Sequence, residues 1–123
     1  FGSAMRTIPF WNVASALAER AVPLQAAYCA AKHGTGGLMK VMALDYAPHN
    51  VRVNAVIPGF IDTPMNEHVM SDQPLLEMWT STIPIKRVGT AEETAAVILF
   101  LASDEASYVV GSAFAVDGGQ MAG

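Results

Sequence analysis

Charge of either sign is scarce in this sequence, and cysteine is almost absent. Charged residues make up 15% of the 123 residues, the formal net charge is −4, and Lys and Arg form no run. A chain without a basic patch has no electrostatic footprint for nucleic acid or an anionic membrane surface, so we expect neither partner. The single cysteine, Cys29, cannot form an internal disulfide. A reducing, cytoplasmic location is therefore the expectation.

Long apolar runs are also lacking. The longest, over residues 95–102, is far short of the roughly 18 residues that predict a membrane-spanning helix. No basic segment followed by an apolar stretch opens the chain, so we predict no signal peptide. The histidines His33, His49 and His68 are scattered without metal-ligand spacing, and we predict no metal site.

Hydrophobic residues, in contrast, make up 52% of the sequence. That content excludes a disordered chain and indicates elements that are buried on more than one side. A chain of this length can form one domain with a single core. We therefore treat residues 1–123 as one domain.

The hydrophobic pattern predicts strands that alternate with helices. Short, bulky or β-branched apolar stretches predict strands over 8–13, 51–57 and 112–116. Helical spacing and end signals predict longer helices over 25–47 and from Thr90 to about Ser103, and the second begins with the capping box Thr90-Ala91-Glu92-Glu93. Short helices are expected at 65–70 and 75–80, inside a long irregular segment. This order predicts an α/β fold with three consecutive strands of a doubly wound parallel sheet and flanking helices.

Three glycines, Gly34, Gly36 and Gly37, lie inside the helix predicted over 25–47. Each costs roughly 1 kcal/mol of helix stability relative to alanine. Such a cost indicates that something packs very close to this helix.

The stretch Tyr28-Cys29-Ala30-Ala31-Lys32 places a phenol and an ammonium one helical turn apart, with only small residues between them. Residues i and i+4 share a helix face, with about 5–6 Å between their Cβ atoms. An opposite charge at that range typically lowers a pKa by about 1–3 units, which would bring the pKa of Tyr28 from about 10 toward neutral. The pair predicts a tyrosine that exchanges protons at working pH, although chance explains such a pair when it stands alone.

A tyrosine that gives a proton to a carbonyl oxygen needs a second group to hold that oxygen. Ser15 follows the first predicted strand and precedes Tyr28 by thirteen residues. Ligands bind at strand ends in doubly wound folds, and a serine hydroxyl both donates and accepts hydrogen bonds. We predict this role for Ser15, with a turn or cap residue as the alternative.

In this arrangement the sequence resembles the short-chain dehydrogenases/reductases of the classical type. Their serine at a strand end, followed by a loop and Y-x-x-x-K on the next helix, is matched by Ser15, Tyr28 and Lys32. Residues 54–63 match the family pattern N-x-[IV]-x-P-G-x-[IV]-x-T, residues 84–93 match P-x-x-R-x-G-x-x-E-E, and residues 117–119 form the closing D-G-G turn. Y-x-x-x-K alone is weak, but these motifs in the correct order are specific together.

The resemblance implies the C-terminal, catalytic half of a Rossmann-type domain with NAD or NADP as cofactor, interconverting a secondary alcohol and a ketone. Tyr28 would be the acid/base, Lys32 would lower its pKa and bind the nicotinamide ribose, and Ser15 would orient the substrate oxygen. The nicotinamide would be lined by Pro58, Gly59, Ile61 and Thr63, of which Ile61, through its backbone, and Thr63 would hold the carboxamide. Residues 60–79 would cover the substrate.

The family's glycine-rich motif T-G-x-x-x-G-x-G, which grips the pyrophosphate, does not occur in residues 1–123. We therefore interpret the sequence as the C-terminal half of an oxidoreductase and expect the isolated chain to be inactive. In full length, the resemblance implies a homo-oligomer, dimer or tetramer, in which the Tyr-Lys helix packs against its mate. The alternative is an inactive fragment that keeps only this oligomer-forming surface. A methyltransferase-like nucleotide binder would leave the motifs unexplained.

Overall fold

The computed structural model describes residues 6–7, 12–13 and 26–122, of which residues 6, 7, 12, 13 and 28 are described by their backbone alone. The strands in this part are β1 (Arg6–Thr7), β2 (Asn12–Val13), β3 (Val51–Arg52), β4 (Ala55–Pro58) and β5 (Ala113–Val116). The α-helices are α1 (Ala26–Tyr46), α2 (Glu67–Met70), α3 (Gln73–Ser81) and α4 (Ala91–Ala102). Short 3-10 turns lie at Ala47–His49, Pro64–Asn66 and Asp104–Ala106.

All strand pairs in the described part are parallel. A three-stranded sheet has the order β2-β4-β5, and β1 pairs separately with β3. In the larger sheet Asn12 lies opposite Ala55, and Ala55 lies opposite Ala113. Since helices connect these strands, the α/β class and the three neighbouring parallel strands predicted from the sequence are confirmed.

Helices cover both faces of this sheet. Because successive side chains of a strand point to opposite faces, Ala55 packs against Met39 and Ala43 of α1, whereas Val56 packs against Leu101 of α4. Each of these five side chains is at most 5% exposed. The core therefore has two halves, one on each side of β4, as expected for a doubly wound sheet.

The bounds of two predicted strands differ from the observed ones. The strand expected over 51–57 is divided into β3 and β4, because the side chain of Asn54 takes the place of ladder bonds. Its Nδ2 donates to the carbonyl of Val109 (2.9 Å), and its Oδ1 accepts from the amide of Ser112 (3.0 Å). Of the strand expected over 8–13, the described part contains only β2, and residues 8–11 lie outside the described residues.

The predicted helices are confirmed with small shifts at their ends. The capping box that starts α4 is present: the hydroxyl of Thr90 accepts from the amide of Glu93, and the Glu93 carboxylate accepts from the amide of Thr90. At the other end of α4, buried Arg52 donates from Nη2 to the carbonyl of Ser103 (3.0 Å). A guanidinium at this end also complements the helix dipole.

One side of α1 is open to solvent. We call it the open face of α1, and it consists of Gly34, Gly37, Leu38, Val41 and Leu44, which are all exposed. Apart from adjacent residues and the backbone of α1 itself, no described residue has an atom within 4 Å of a Cβ added at either glycine or at Gly36. The close neighbour expected from the glycines is therefore not found among the described residues. No helix in the described part of the chain has the length and apolar character needed to cross a bilayer.

Candidate active site

The carboxyl ends of β2, β4 and β5 meet at one edge of the sheet, because the three strands are parallel neighbours. β4 ends at Pro58 and β5 ends at Val116. The chain continues from these ends into the turns that carry Gly59 and Asp117. Ligands in open α/β sheets bind at this edge, so the site is built from these turns and from the start of α1.

The Tyr-Lys pair lies in the first two turns of α1. Lys32 precedes the buried Met39 by seven residues, two helical turns, and therefore lies on the side of the helix that faces the sheet. Position 28 lies one turn earlier on the same side, and Lys32 is half-buried. The side chain of Tyr28 and all of Ser15 lie outside the described residues, so the contact among the three side chains stays a prediction.

Gly59 is held against the closing turn of the chain. Its amide donates to the carbonyl of Val116 at 2.9 Å. A Cβ added at Gly59 would lie 2.6 Å from the Cβ atom of Asp117 and 2.7 Å from its Cα atom. Only glycine permits this approach, which fixes the distance between the ends of β4 and β5.

Asp117 organises the turn on the other side of this contact. Its two carboxylate oxygens accept from the amides of Gly119 (2.9 Å) and Met121 (2.9 Å). Gly118 and Gly119 have positive φ, +63° and +91°. The D-G-G turn singled out in the sequence is therefore a backbone structure that supports the site, in which aspartate accepts and the glycines permit the left-handed conformation.

Ile61 forms an isolated parallel bridge with Gly89. In this bridge Gly89 donates to the carbonyl of Phe60 (3.0 Å), and Asp62 donates to the carbonyl of Gly89 (2.9 Å). The amide and carbonyl of Ile61 itself therefore point away from Gly89, since these groups alternate along an extended chain. Among the described residues, no hydrogen bond uses the amide of Ile61.

The carbonyl of Ile61 accepts from Nδ2 of Asn66 at 2.7 Å. Thr63 lies between the two residues, in an extended conformation (φ −138°, ψ 160°), just before the 3-10 turn Pro64–Asn66. The amide of Asn66 donates to the carbonyl of Thr63 at 2.9 Å. Side chain and backbone of Asn66 thus close a compact loop around Thr63.

The two ends of the segment expected to cover a substrate are in contact with each other. Phe60 and Trp79 stack with ring centroids 5.3 Å apart and an interplanar angle of 16°. Further along, Gln120 donates to the hydroxyl of Thr82 (3.2 Å). Met65 is 84% exposed and Met78 is 59% exposed. Adaptable apolar side chains are therefore presented on this segment.

Arg87 and Glu93 form the ion pair that follows this segment. Arg87 donates from Nη1 and Nη2 to the two carboxylate oxygens of Glu93, at 2.7 and 3.0 Å. These bonds, together with the amide of Thr90, lower the pKa of Glu93 to about 2. They raise the pKa of Arg87 above its ordinary value. The pair joins the loop that carries Gly89 to the first turn of α4.

Sequence reasoning missed the structural roles of Asp117, Asn66 and Arg87. Asp117 and Arg87 occurred in the motifs quoted above, but a motif does not say which backbone groups a carboxylate or guanidinium binds. Asn66 lies three residues beyond the motif over 54–63, where no pattern pointed to it. Within the described residues, no three His, Cys, Asp or Glu side chains lie close enough to hold a metal ion.

Comparison with known proteins identifies the family. Residues 10–121 match the family model described as enoyl-(acyl carrier protein) reductase. Over 108 residues the chain is 48% identical to the 3-oxoacyl-[acyl-carrier-protein] reductase FabG of Thermotoga maritima. This alignment covers 88% of this chain and 43% of that protein.

Solved structures agree with this result. The chain is similar to 4-hydroxyisoleucine dehydrogenase complexed with NADH, with a TM-score of 0.88 and 38% identity. It is also similar to a proposed 2-deoxy-D-gluconate 3-dehydrogenase of Agrobacterium tumefaciens with bound NADP, with a TM-score of 0.86 and 37% identity. Each alignment covers 92% of this chain and 46% of the other.

The chain thus spans less than half the length of the relatives that it matches. The match nevertheless covers most of the chain and includes both sides of the sheet edge described above. The Rossmann-type fold expected from the motifs is confirmed by these neighbours. The chain belongs to the short-chain dehydrogenase/reductase family.

Proposed function

We propose that the protein containing this chain is an NAD- or NADP-dependent oxidoreductase that interconverts a secondary alcohol and a ketone. The observation that supports the proposal is the topology: α1, which carries positions 28 and 32, follows β2, and the turn over 58–63 follows the neighbouring parallel strand β4. The solved relatives that bind NADH and NADP support the choice of cofactor. Residues 1–123 would form the catalytic and substrate-binding half of one dinucleotide-binding domain.

The residues at the end of β4 fit a nicotinamide ring. Gly59 leaves space where any other residue would meet Asp117, and Pro58 ends the strand beside it. The amide of Ile61 points away from its bridge with Gly89, and it is available to a carboxamide oxygen. The Thr63 hydroxyl is the second group proposed to hold the carboxamide.

Proton transfer is assigned to α1 and the loop before it. The nicotinamide, when bound, supplies or accepts the hydride. In the direction of ketone reduction, Tyr28 donates its phenolic proton to the carbonyl oxygen, while the Ser15 hydroxyl holds that oxygen. The Lys32 ammonium lies one turn from Tyr28, so it favours the phenolate and binds the nicotinamide ribose.

The substrate is proposed to be a small molecule held under residues 60–79. The exposed Met65 and Met78 would line the cover with side chains that adapt to different shapes. We propose no nucleic-acid or membrane partner, because the charge pattern offers no basic patch for either one. A cytoplasmic location stays a prediction that rests on the cysteine content.

The alternative is an inactive fragment that keeps only a surface for assembly. The open face of α1 favours this idea, because exposed Leu38, Val41 and Leu44 beside two glycines permit a second helix to pack closely. The same surface would form a homodimer or homotetramer in a full-length enzyme. The two proposals differ in one respect, which is whether the pyrophosphate-binding half accompanies this chain.

Turnover of the tyrosine variant tests the proposal. In the full-length protein, Tyr28→Phe is expected to remove nearly all ketone reduction, a loss of at least about 100-fold, because the proton donor is gone. NADH or NADPH binding, followed by the fluorescence of the bound dihydronicotinamide, should be preserved. A Tyr28→Phe variant with wild-type rates would refute the proton-transfer role. Cofactor-dependent turnover by the isolated residues 1–123 would refute the expectation that this part is inactive alone.

A further inference from the structure

We propose that Asn66 is a positioning residue for the nicotinamide, acting through the peptide group that joins Ile61 to Asp62. The proposal rests on the function proposed above, since it concerns the same cofactor site. The observation behind it is the 2.7 Å hydrogen bond from Nδ2 of Asn66 to the carbonyl of Ile61.

Two peptide groups meet at the Cα atom of Ile61: the Phe60–Ile61 peptide carries the Ile61 amide, and the Ile61–Asp62 peptide carries the Ile61 carbonyl. On one side the bridge to Gly89 holds the flanking groups of Phe60 and Asp62. On the other side only the Asn66 side chain holds the Ile61 carbonyl, among the described residues. The Ile61–Asp62 peptide is thus held at both its N–H and its C=O, and the Phe60–Ile61 peptide is held at its C=O by Gly89. Because both peptides that flank the Cα atom of Ile61 are held, the Ile61 amide keeps one direction.

That direction matters because the amide of Ile61 has no acceptor among the described residues. Ile61 is 8% exposed, so little solvent is available to the group. A carboxamide oxygen would satisfy this donor, and the energetic benefit is largest when the donor is already oriented. Gly89 orients the peptide that carries this amide, and Asn66 restrains the next peptide, so the backbone at Ile61 is held on its C-terminal side as well.

The position of Asn66 gives it a second effect on the same loop. Its amide donates to the carbonyl of Thr63, so that one residue closes the loop through both its side chain and its backbone. Thr63 keeps its extended conformation within this loop. Loss of the side chain would free the Ile61 carbonyl but leave the backbone turn at Thr63 intact. The side-chain bond can therefore be tested separately from the fold of the loop.

Two ligands separate positioning from a general loss of structure. NADH or NADPH carries the nicotinamide, whereas ADP-ribose carries the adenosine and pyrophosphate without it. In the full-length protein, Asn66→Ala is expected to weaken binding of the reduced cofactor by about 5- to 30-fold, the effect of one lost hydrogen bond. The affinity for ADP-ribose is expected to stay unchanged. Asn66→Asp, which has the same shape without the N–H donor, should behave like the alanine variant.

Glu67→Gln is the matched control, because Glu67 is the next residue, is exposed, and makes no side-chain hydrogen bond among the described residues. Its cofactor affinity should equal that of the wild type. Equal affinity of wild type and Asn66→Ala for the reduced cofactor would overturn the proposal, and so would a tighter complex or a matching loss for ADP-ribose. The wild type is measured first. If it does not bind the reduced cofactor, the proposed function fails; if it binds and Asn66→Ala binds equally well, only the role of Asn66 fails.

Discussion

Asp117 occupies the space that a side chain at residue 59 would need. The Cβ and Cα atoms of Asp117 lie 2.6 and 2.7 Å from a Cβ built on Gly59, and its carboxylate is fixed by the amides of Gly119 and Met121. Because a backbone atom is involved, rotation of one side chain cannot relieve the contact. The spacing of the two strand ends therefore depends on the absence of a side chain at Gly59.

We expect Gly59→Ala to lower the free energy of unfolding by about 1–3 kcal/mol, the usual effect of an added methyl group in a packed site. The measurement is urea denaturation followed by circular dichroism. Gly37→Ala is the control: no described residue lies within 4 Å of its added Cβ, and alanine favours a helix by up to about 1 kcal/mol. Equal stability of the Gly59→Ala variant and the wild type would contradict the close contact.

The ion pair between Arg87 and Glu93 predicts a pH dependence. The pKa of Glu93 is lowered from 4.5 to about 2, first by the hydrogen bond from Arg87. A carboxyl group with a lower pKa in the folded chain stabilises the fold above its ordinary pKa, and this contribution disappears as the pH falls from 4.5 toward 2.

Glu93→Gln should therefore lower the melting temperature at neutral pH and flatten its dependence on pH between 4.5 and 2. Thermal unfolding at a series of pH values measures both effects. The control is Glu92→Gln, since Glu92 makes no side-chain hydrogen bond among the described residues and lies in the same helical turn. Parallel curves for wild type and Glu93→Gln would show that the pair does not affect acid stability.

Lys32→Ala tests the electrostatic role of the ammonium. In the proposed mechanism, kcat/KM of the full-length protein for alcohol oxidation depends on a deprotonated Tyr28. Without the neighbouring positive charge, the rising part of the pH profile should move upward by about 1–3 units. Cofactor affinity should fall as well, because the ribose loses a hydrogen-bond donor. Lys40→Ala, an exposed position on the same helix, should leave both unchanged. An unshifted profile for Lys32→Ala would exclude a role in tuning the pKa of Tyr28.

Asn54 joins β4 to the chain before β5. Asn54→Ala leaves the carbonyl of Val109 and the amide of Ser112 without the bonds at 2.9 and 3.0 Å. Because these groups are partly buried, the variant should lose about 1–3 kcal/mol of unfolding free energy. Ser107→Ala, at an exposed position of the same connection, should unfold like the wild type in urea. The same midpoint for both variants would contradict the role of Asn54.

The repeating features of the fold were predictable from the sequence, but the single contacts were not. The helical spacing that ends near Pro48 and the Thr90–Glu93 box depend on neighbours within one or two turns, so local rules locate α1 and α4. The break of a strand at Asn54 depends on groups more than fifty residues away. No local pattern contains that information.

In the candidate site, too, the local features were predictable from the sequence and the single contacts were not. The motif over 54–63 correctly located a turn at the sheet edge, because Pro and Gly end strands by their own geometry. The bond from Asn66 to Ile61 could not be predicted, since it requires the exact path of the chain through the 3-10 turn. Ser15 and the Tyr28 side chain lie outside the described residues, and their positions stay predictions.

The open face of α1 links the association of the molecule with other chains to the rigidity of the helix itself. The glycines on this face lower the intrinsic helix propensity of α1. The exposed leucine and valine side chains are stabilised when another surface buries them. A second helix that packs on this face would restrict the motion of α1, the helix that carries Tyr28 and Lys32. By reciprocity, the dinucleotide that we propose to bind at Lys32 would strengthen that association, and the proposed activity per molecule would then rise with protein concentration.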